Sequence, residues 1–428
     1  MYRIVLIAAI VYAVFRLAVQ IYLFSGALQP EAIAQGEQVG TDLQRSYIPA
    51  AQHFRAHEDI YLKGSLEIIE LYFQYAPAFA FFFGPLLLLP LTILIPLLVI
   101  LHIAAYWLFY VWWDRIFQRY NLQSAAKMWA WILPLFLVFS VFWDDLAYMN
   151  IYLIIALFAT FLIDAIIQEN LGWSIFWIAV ILPIKPQWAF AAALPLLLGR
   201  YRFFLKLMAG TIIAYLLIAG ATILAGGVQY GIQQYKDYFG FLGRLSRDFP
   251  WRSSPNSPFL GYNHSVMQIF LYYFGVSPTN MRIATLLKLV LLAPLGWVGL
   301  KFLRSPNKKP QREIPETALA LAFALYLGAF IWLDTVWELS LGLVIFAYLL
   351  ATTNERWSKT VLWALFAPYA LLDVWRLASY IIWSDDILYQ GAYVLTDPII
   401  YIPWIMVTLL VSYVLLLKKL MIFATNPV

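Results

Sequence analysis

Cysteine is absent from all 428 residues, which excludes disulfides, thiolate nucleophiles and cysteine-ligated metal sites. Charge is scarce too, since Asp, Glu, Lys and Arg make up only 12% of the chain. Histidine occurs four times, and although His53 and His57 stand four apart, no acidic pattern beside them completes a metal-binding helix face. There is no G-x-x-x-x-G-K-[ST] phosphate loop, no Gly/Ser-rich or Pro-rich linker and no internal repeat. These absences leave one domain, 1–428, with no nucleic acid as partner.

What is abundant is apolar surface: 63% of the residues are hydrophobic and 18% aromatic, with a mean hydropathy of +0.77. No water-soluble fold keeps such a chain in solution. About 20 apolar residues cross the ~30 Å of a bilayer's hydrocarbon. Runs of that order lie at 4–24, 91–113, 127–143, 149–167, 203–225, 281–303, 317–333, 360–383 and 398–417, with shorter ones at 171–184, 187–199 and 338–351. The expectation is an all-α polytopic bundle of about twelve transmembrane helices. The first run lacks a small-residue cleavage site and is too long for a signal-peptide core, so it is expected to stay as a span.

Charge sets the sidedness. Residues 77–113 are too long for one straight helix, and if 77–90 is re-entrant or interfacial, more than half of the Lys and Arg fall on one side. Arg115, Arg119, Lys127, Arg200, Arg202, Lys206, Lys301, Arg304, Lys418 and Lys419 are among them. Most acids fall on the other. Basic residues mark cytoplasmic segments. The protein is therefore expected in the inner (plasma) membrane with both termini cytoplasmic. Two larger loops, 25–76 and 226–265, are expected outside and carrying interfacial helices.

The chemistry-bearing residues sit on that external face. In "GTDLQRSYIPAA", Asp42 serves either as a general base on a hydroxyl or as a helix N-cap, as Thr41 would also do. Asp144 and Asp145 in "VFWDDLAYMNIY" repel one another and call for a cation, a metal or a sugar hydroxyl, unless they form a solvated turn. Lys185 in "AVILPIKPQWAF", between helix-breaking prolines, either snorkels or meets an anion such as phosphate. The loop holding Arg244, Arg247, Trp251, Arg252, Asn263 and His264 suits an anionic, sugar-bearing ligand or an interfacial anchor. Farther along lie Asp334 and Glu338. Of the intramembrane charges Arg16, Asp164, Lys288, Asp373 and Arg376, internal pairing is expected, with Asp373 and Arg376 three apart on one helix face.

The order of these pieces resembles the type-C glycosyltransferase superfamily, and most closely glycosyltransferase family 87. That family's run of an acid, a tyrosine with small residues, a second tyrosine and Tyr-x-Tyr-Pro-Pro is met by Asp42, Tyr47, Ala50, Ala51, Tyr61 and "FQYAP", with Phe73 and Ala76 departing from it. "AYMNIYLII" is similar to its Gly-Asn-x-Asn segment and keeps Asn150; "ILPIKPQWAF" is similar to its Lys-Pro segment. "GYNHSVMQIF" is similar to its Asn-Gln-Ser segment, and in "DTVWELSLG" Leu339 replaces a late histidine.

The resemblance implies a bundle of that superfamily's type, with Asp42 as catalytic base. It also implies a polyprenyl-phosphate hexose donor, mannose first among the hexoses, whose tail lies in the membrane lipids. The acceptor would be a glycan, glycolipid or polymer. On this reading Lys185, Arg247 and Arg252 bind the donor phosphate, while Tyr47, Asp144, Asp145, Asn150, Asn263, His264 and Glu338 bind sugar or acceptor. No cofactor is required; Asp144 with Asp145 leaves room for a divalent metal that the scheme does not need. Two rivals stand: a transporter or flippase using the broken helices around Lys185, and an inactive lipid-glycan-binding relative in which the late histidine is lost.

Overall fold

The computed structural model describes residues 1–29, 40, 42–61, 73–249, 251–253, 257–304, 315–383 and 396–425. Thr41 and parts of both expected external loops, 30–39, 62–72, 250 and 254–256, lie outside the described residues. Among the described residues all regular structure is helical. Hydrocarbon offers no partner for backbone N–H and C=O groups, so an apolar segment must satisfy them within itself.

Among the described residues seven helices are long and apolar enough to cross a membrane: Tyr2–Ala27, Leu91–Arg119, Tyr201–Gly226, Pro278–Arg304, Pro315–Trp332, Arg356–Ile382 and Trp404–Ala424. The pair Gln123–Trp131 and Leu133–Tyr148, bent by 50°, makes an eighth if taken as one span. Pro134 stands at that bend, where its ring and missing N–H break the helical ladder. Against the expectation of about twelve crossings, seven or eight helices of spanning length stand among the described residues. Tyr152–Ile167, Leu171–Ile181 and Gly342–Thr352 are too short to qualify. Hydropathy counts apolar side chains whether or not the helix runs on through them. The run 187–199, for instance, divides into a 3₁₀ segment, Pro186–Ala193, and a single turn, Leu194–Leu197, opened by Pro186 and Pro195.

Pro315–Trp332 and Gly342–Thr352 occupy the centre of the bundle, with Leu321, Phe323, Tyr326, Val344 and Tyr348 fully buried. Tyr2–Ala27 and Tyr201–Gly226 turn Ile7, Val11, Val14, Leu216, Leu217 and Leu224 outward, as a lipid-facing ring does. One end of the bundle carries the ion pairs Arg119–Asp164 at 2.7 Å, Arg200–Glu169 at 3.2 Å, Lys419–Glu316 at 2.7 Å and Lys418–Glu355 at 2.5 Å. The opposite end carries Asp42, Asp145, Lys185 and Glu338. Pro77–Leu88 is a short apolar helix joined to its neighbours near that end. Ala76 N–H donates to Pro183 O at 2.9 Å, and His102, on the following long helix, lies 2.6 Å from Asn150 O.

The intramembrane charges are paired, but Asp373 and Arg376 do not pair with each other. Asp373 accepts from Arg16 at 3.0 Å and from Tyr12. Arg376 holds Asp397 at 2.8 Å together with Asp144, and Lys288 holds Asp334 and donates to Trp332 O at 2.8 Å. Sharing a helix face is not enough: an ion taken out of water needs its partner opposite it, and the facing helices supply different partners to the two residues.

Candidate active site

Asp42 is placed by a glycine. Gly40 has φ +66°, and a Cβ there would lie 2.5 and 2.7 Å from the Met149 side chain. Met149, itself left-handed at φ 52°, closes the Ser140–Tyr148 helix, so the first loop rests directly on the turn that leads to Asn150. Gly40→Ala is expected to cost at least about 1 kcal/mol from the left-handed backbone alone. A melting curve in detergent checks this, and an unchanged Tm would show that the loop does not rest on that turn.

The next turn, Leu43–Tyr47, is π-helical, a widened geometry that recurs at functional sites. Asp42 stands at its N-terminal end, yet its carboxylate makes no capping hydrogen bond. Burial raises its carboxyl to about 6, opposed by the positive charge of Lys185. The small pair Ala50 and Ala51 is fully buried and lets the Ile48–Ala56 helix lie against Pro77–Phe83.

That packing brings Tyr47 to Tyr75 and Asn150. Tyr47 Oη donates to Asn150 Oδ1 at 3.1 Å, and that oxygen also accepts from Ile151 N–H at 2.7 Å. Since an amide oxygen only accepts, the single Tyr47 proton goes there, and Tyr75 must donate across the 3.2 Å Tyr75–Tyr47 contact. Tyr47 and Asn150 therefore fix the walls of the site, while the Asn150 amide nitrogen keeps its own donors.

Lys185 follows the turn after Leu171–Ile181 and precedes Pro186, which favours its extended backbone at φ −144°. Its Nζ donates to Tyr152 Oη at 2.6 Å and lies over the rings of Tyr152 and Tyr75, at 4.2 and 5.1 Å from their centres. An ammonium has three N–H donors. Among the described residues only one is used and no carboxylate forms an ion pair with it, although the side chain is buried. Burial pulls its pKa down to about 8, against the nearby negative charges of Asp42, Glu338 and Asp145.

Glu338 belongs to the 333–341 segment. Asn263 pins that segment, donating to Asp334 O at 3.0 Å and accepting from Val336 N–H at 3.0 Å, while His264 N–H donates to Val336 O at 2.8 Å. Burial pushes the Glu338 carboxyl up to about 8, although Ser340 Oγ donates to it at 2.6 Å. Leu339, where the resemblance has a histidine, is buried, and its N–H donates to Tyr369 Oη at 3.0 Å.

The remaining residues separate into groups. Asp145 accepts from the N–H groups of Tyr152 and Leu153, each at 3.1 Å, and so caps the Tyr152–Ile167 helix. Asp144 turns away to Arg376, so the two acids do not converge on one ion, and among the described residues no group of three His, Asp or Glu is placed to hold a metal. His264 is fully buried: Nε2 faces Gly261 O and Ile399 O at 3.2 and 2.9 Å, while Nδ1 accepts from Ile405 N–H at 3.1 Å. Its ring thus clamps backbone, and burial lowers its pKa to about 4. Asn263 likewise holds backbone. Arg252 donates to Ser257 Oγ at 3.1 Å and lies over the Phe259 ring, and Arg247 is exposed on the last turn of Val228–Asp248. Tyr75, the tyrosine kept in "FQYAP", and Tyr152, which no sequence motif marks, join the site. Tyrosines in apolar runs carry no mark that separates them from interfacial anchors.

Comparison with curated proteins and with solved structures finds no match. The family model for glycosyltransferase family 87 matches residues 73–327, more than half of the 428-residue chain. The matched stretch takes in Tyr75, Asp144, Asp145, Asn150, Tyr152, Lys185, Asn263 and His264, and leaves Asp42, Tyr47 and Glu338 outside it. The chain belongs to glycosyltransferase family 87 and is a membrane glycosyltransferase.

Proposed function

We propose that the chain moves a hexose, mannose first among the hexoses, from a polyprenyl-phosphate donor to an acceptor hydroxyl on a glycan, glycolipid or polymer. Transfer takes place at the external face of the inner membrane, with inversion at the anomeric carbon. The observation that supports this most is Lys185: a buried cation with unused N–H donors, next to a carboxylate, Asp42, that makes no structural capping bond.

Asp42 takes the proton of the acceptor hydroxyl as that oxygen bonds to the anomeric carbon. The bond from the anomeric carbon to the phosphate oxygen breaks, its electron pair leaves with the phosphate, and polyprenyl phosphate departs. The transition state is oxocarbenium-like, with negative charge growing on the leaving oxygen. Lys185 stabilises that charge in a site largely closed to water, where a fixed cation acts more strongly than in bulk solvent. Arg247 or Arg252 adds charge from the second loop. Glu338 and the Asn150 amide orient hydroxyls of the sugar.

The ionisations predict a bell-shaped kcat/KM, which reports the free enzyme. Asp42 must be deprotonated, so the rate climbs as pH rises through about 6; Lys185 must be protonated, so the rate falls as pH passes about 8. Glu338 titrates near 8 as well, and Glu338→Gln assigns the alkaline limb. If Lys185 is its source, the limb survives that substitution. A profile flat between pH 5 and 9 contradicts both assignments.

The reaction itself is tested by incubating the protein in nanodiscs with polyprenyl-phosphate hexoses and candidate acceptors, then isolating the products. Polyprenyl phosphate and a glycoside of inverted anomeric configuration are expected. Retained configuration, or uptake of an intact donor across the bilayer without cleavage, would overturn the proposal.

A further inference from the structure

Proton bookkeeping at Lys185 identifies a second group. An ammonium only donates, so in its 2.6 Å contact with Tyr152 Oη the lysine gives the proton and the phenol oxygen accepts it. The Tyr152 O–H proton then remains to be placed, and among the described residues no acceptor takes it. Three carboxyl groups lie near it, and among the described residues none accepts the Tyr152 proton: Asp145 takes the backbone N–H groups of Tyr152 and Leu153, Glu338 accepts from Ser340, and Asp42 forms no hydrogen bond with the phenol.

The phenol is also held in place. Its backbone N–H is fixed by Asp145 at 3.1 Å, and its ring lies under the Lys185 ammonium, 4.2 Å from centre to Nζ. The side chain is partly exposed, on the same end of the bundle as Asp42. A free O–H directed by a lysine that has N–H donors to spare makes a two-pronged donor set, matched to two oxygens of one phosphate.

We infer that Tyr152 is a donor-phosphate-binding residue, its hydroxyl and the Lys185 ammonium gripping the same monophosphate. This rests on the reading that Lys185 meets the donor phosphate. Its chemistry separates it from Lys185. The hydroxyl supplies direction without charge, and because it accepts from the lysine, it polarises toward the anion it donates to.

The test is equilibrium binding of polyprenyl phosphate and of the matching polyprenol, which lacks the phosphate, to wild type, Tyr152→Phe and Lys185→Met in nanodiscs. Phenylalanine keeps the ring beneath the ammonium and removes only the hydroxyl. In Tyr152→Phe, polyprenyl phosphate is expected to bind about tenfold more weakly, the scale of a lost hydrogen bond to a charged group, with polyprenol affinity unchanged. The polyprenol measurement shows that the variant is folded and still binds the lipid chain. If Tyr152→Phe binds polyprenyl phosphate like wild type while Lys185→Met does not, the inference about Tyr152 fails and the role of Lys185 stands. If wild type prefers polyprenyl phosphate to polyprenol by no measurable factor, the phosphate reading of Lys185 fails, and this inference with it.

Discussion

Asp42→Asn is expected to lower kcat by about 10²–10⁴-fold, the range a general base contributes, while leaving the donor dissociation constant within a few-fold of wild type at neutral pH. The substitution keeps shape and removes only basicity. Because the carboxylate makes no capping bond to its own helix, the fold should not depend on its charge. There is a secondary consequence with a definite sign. Asp42 helps to hold the Lys185 proton, so in the variant Lys185 loses its charge at a lower pH, and donor binding should weaken earlier on the alkaline side than in wild type. Turnover that survives at saturating donor would remove Asp42 from the mechanism. Equal donor binding by both proteins up to pH 9 would separate Asp42 from Lys185.

Lys185→Met is expected to weaken donor binding at least tenfold and to lower kcat by a further 10²-fold or so, the scale seen when one charge-stabilising donor is removed from an active site. Methionine keeps the apolar stem and removes a buried cation that has no ion-pair partner among the described residues, so folding should be preserved. The sign on the acid limb is fixed by the same electrostatics. Lys185 holds the Asp42 carboxyl down, so without it that carboxyl titrates above about 6 and the low-pH limb moves upward. Lys185→Arg keeps the charge but replaces a compact ammonium with a planar fork, and restores less than full activity in a cage built from Tyr75 and Tyr152. A Lys185→Met protein with wild-type donor affinity would contradict the assignment.

Much of this site can be read from the sequence, because a charge among apolar neighbours is costly and needs a reason. Asp42 and Lys185 stand out on that ground, and the prolines at 183 and 186 explain why Lys185 is not in a helix. What the sequence hides is which partner meets which residue. Asn263 and His264 look like ligand-binding groups, yet their hydrogen bonds go to the backbone of Asp334, Val336, Ile399 and Ile405, far along the chain. Asp144 and Asp145 look like a pair, but a helix turns neighbours apart: one meets Arg376 and the other caps a helix seven residues on. Tyr152 is one of 28 tyrosines, and only the lysine placed against it marks it out. The loss of the late histidine has a local meaning too: Leu339 is packed in the core, while its neighbour Glu338 keeps its carboxyl near Lys185 and Asp42. For the bundle, hydropathy locates the apolar runs but not their breaks, so only seven or eight helices among the described residues have spanning length.

The most direct measurement is donor affinity and polyprenyl phosphate release, recorded side by side for wild type, Asp42→Asn and Lys185→Met in the same nanodiscs with polyprenyl-phosphate mannose. The account predicts that wild type binds and releases, that Asp42→Asn binds but does not release, and that Lys185→Met fails first at binding. Release by Asp42→Asn at the wild-type rate, or undiminished binding by Lys185→Met, would contradict it.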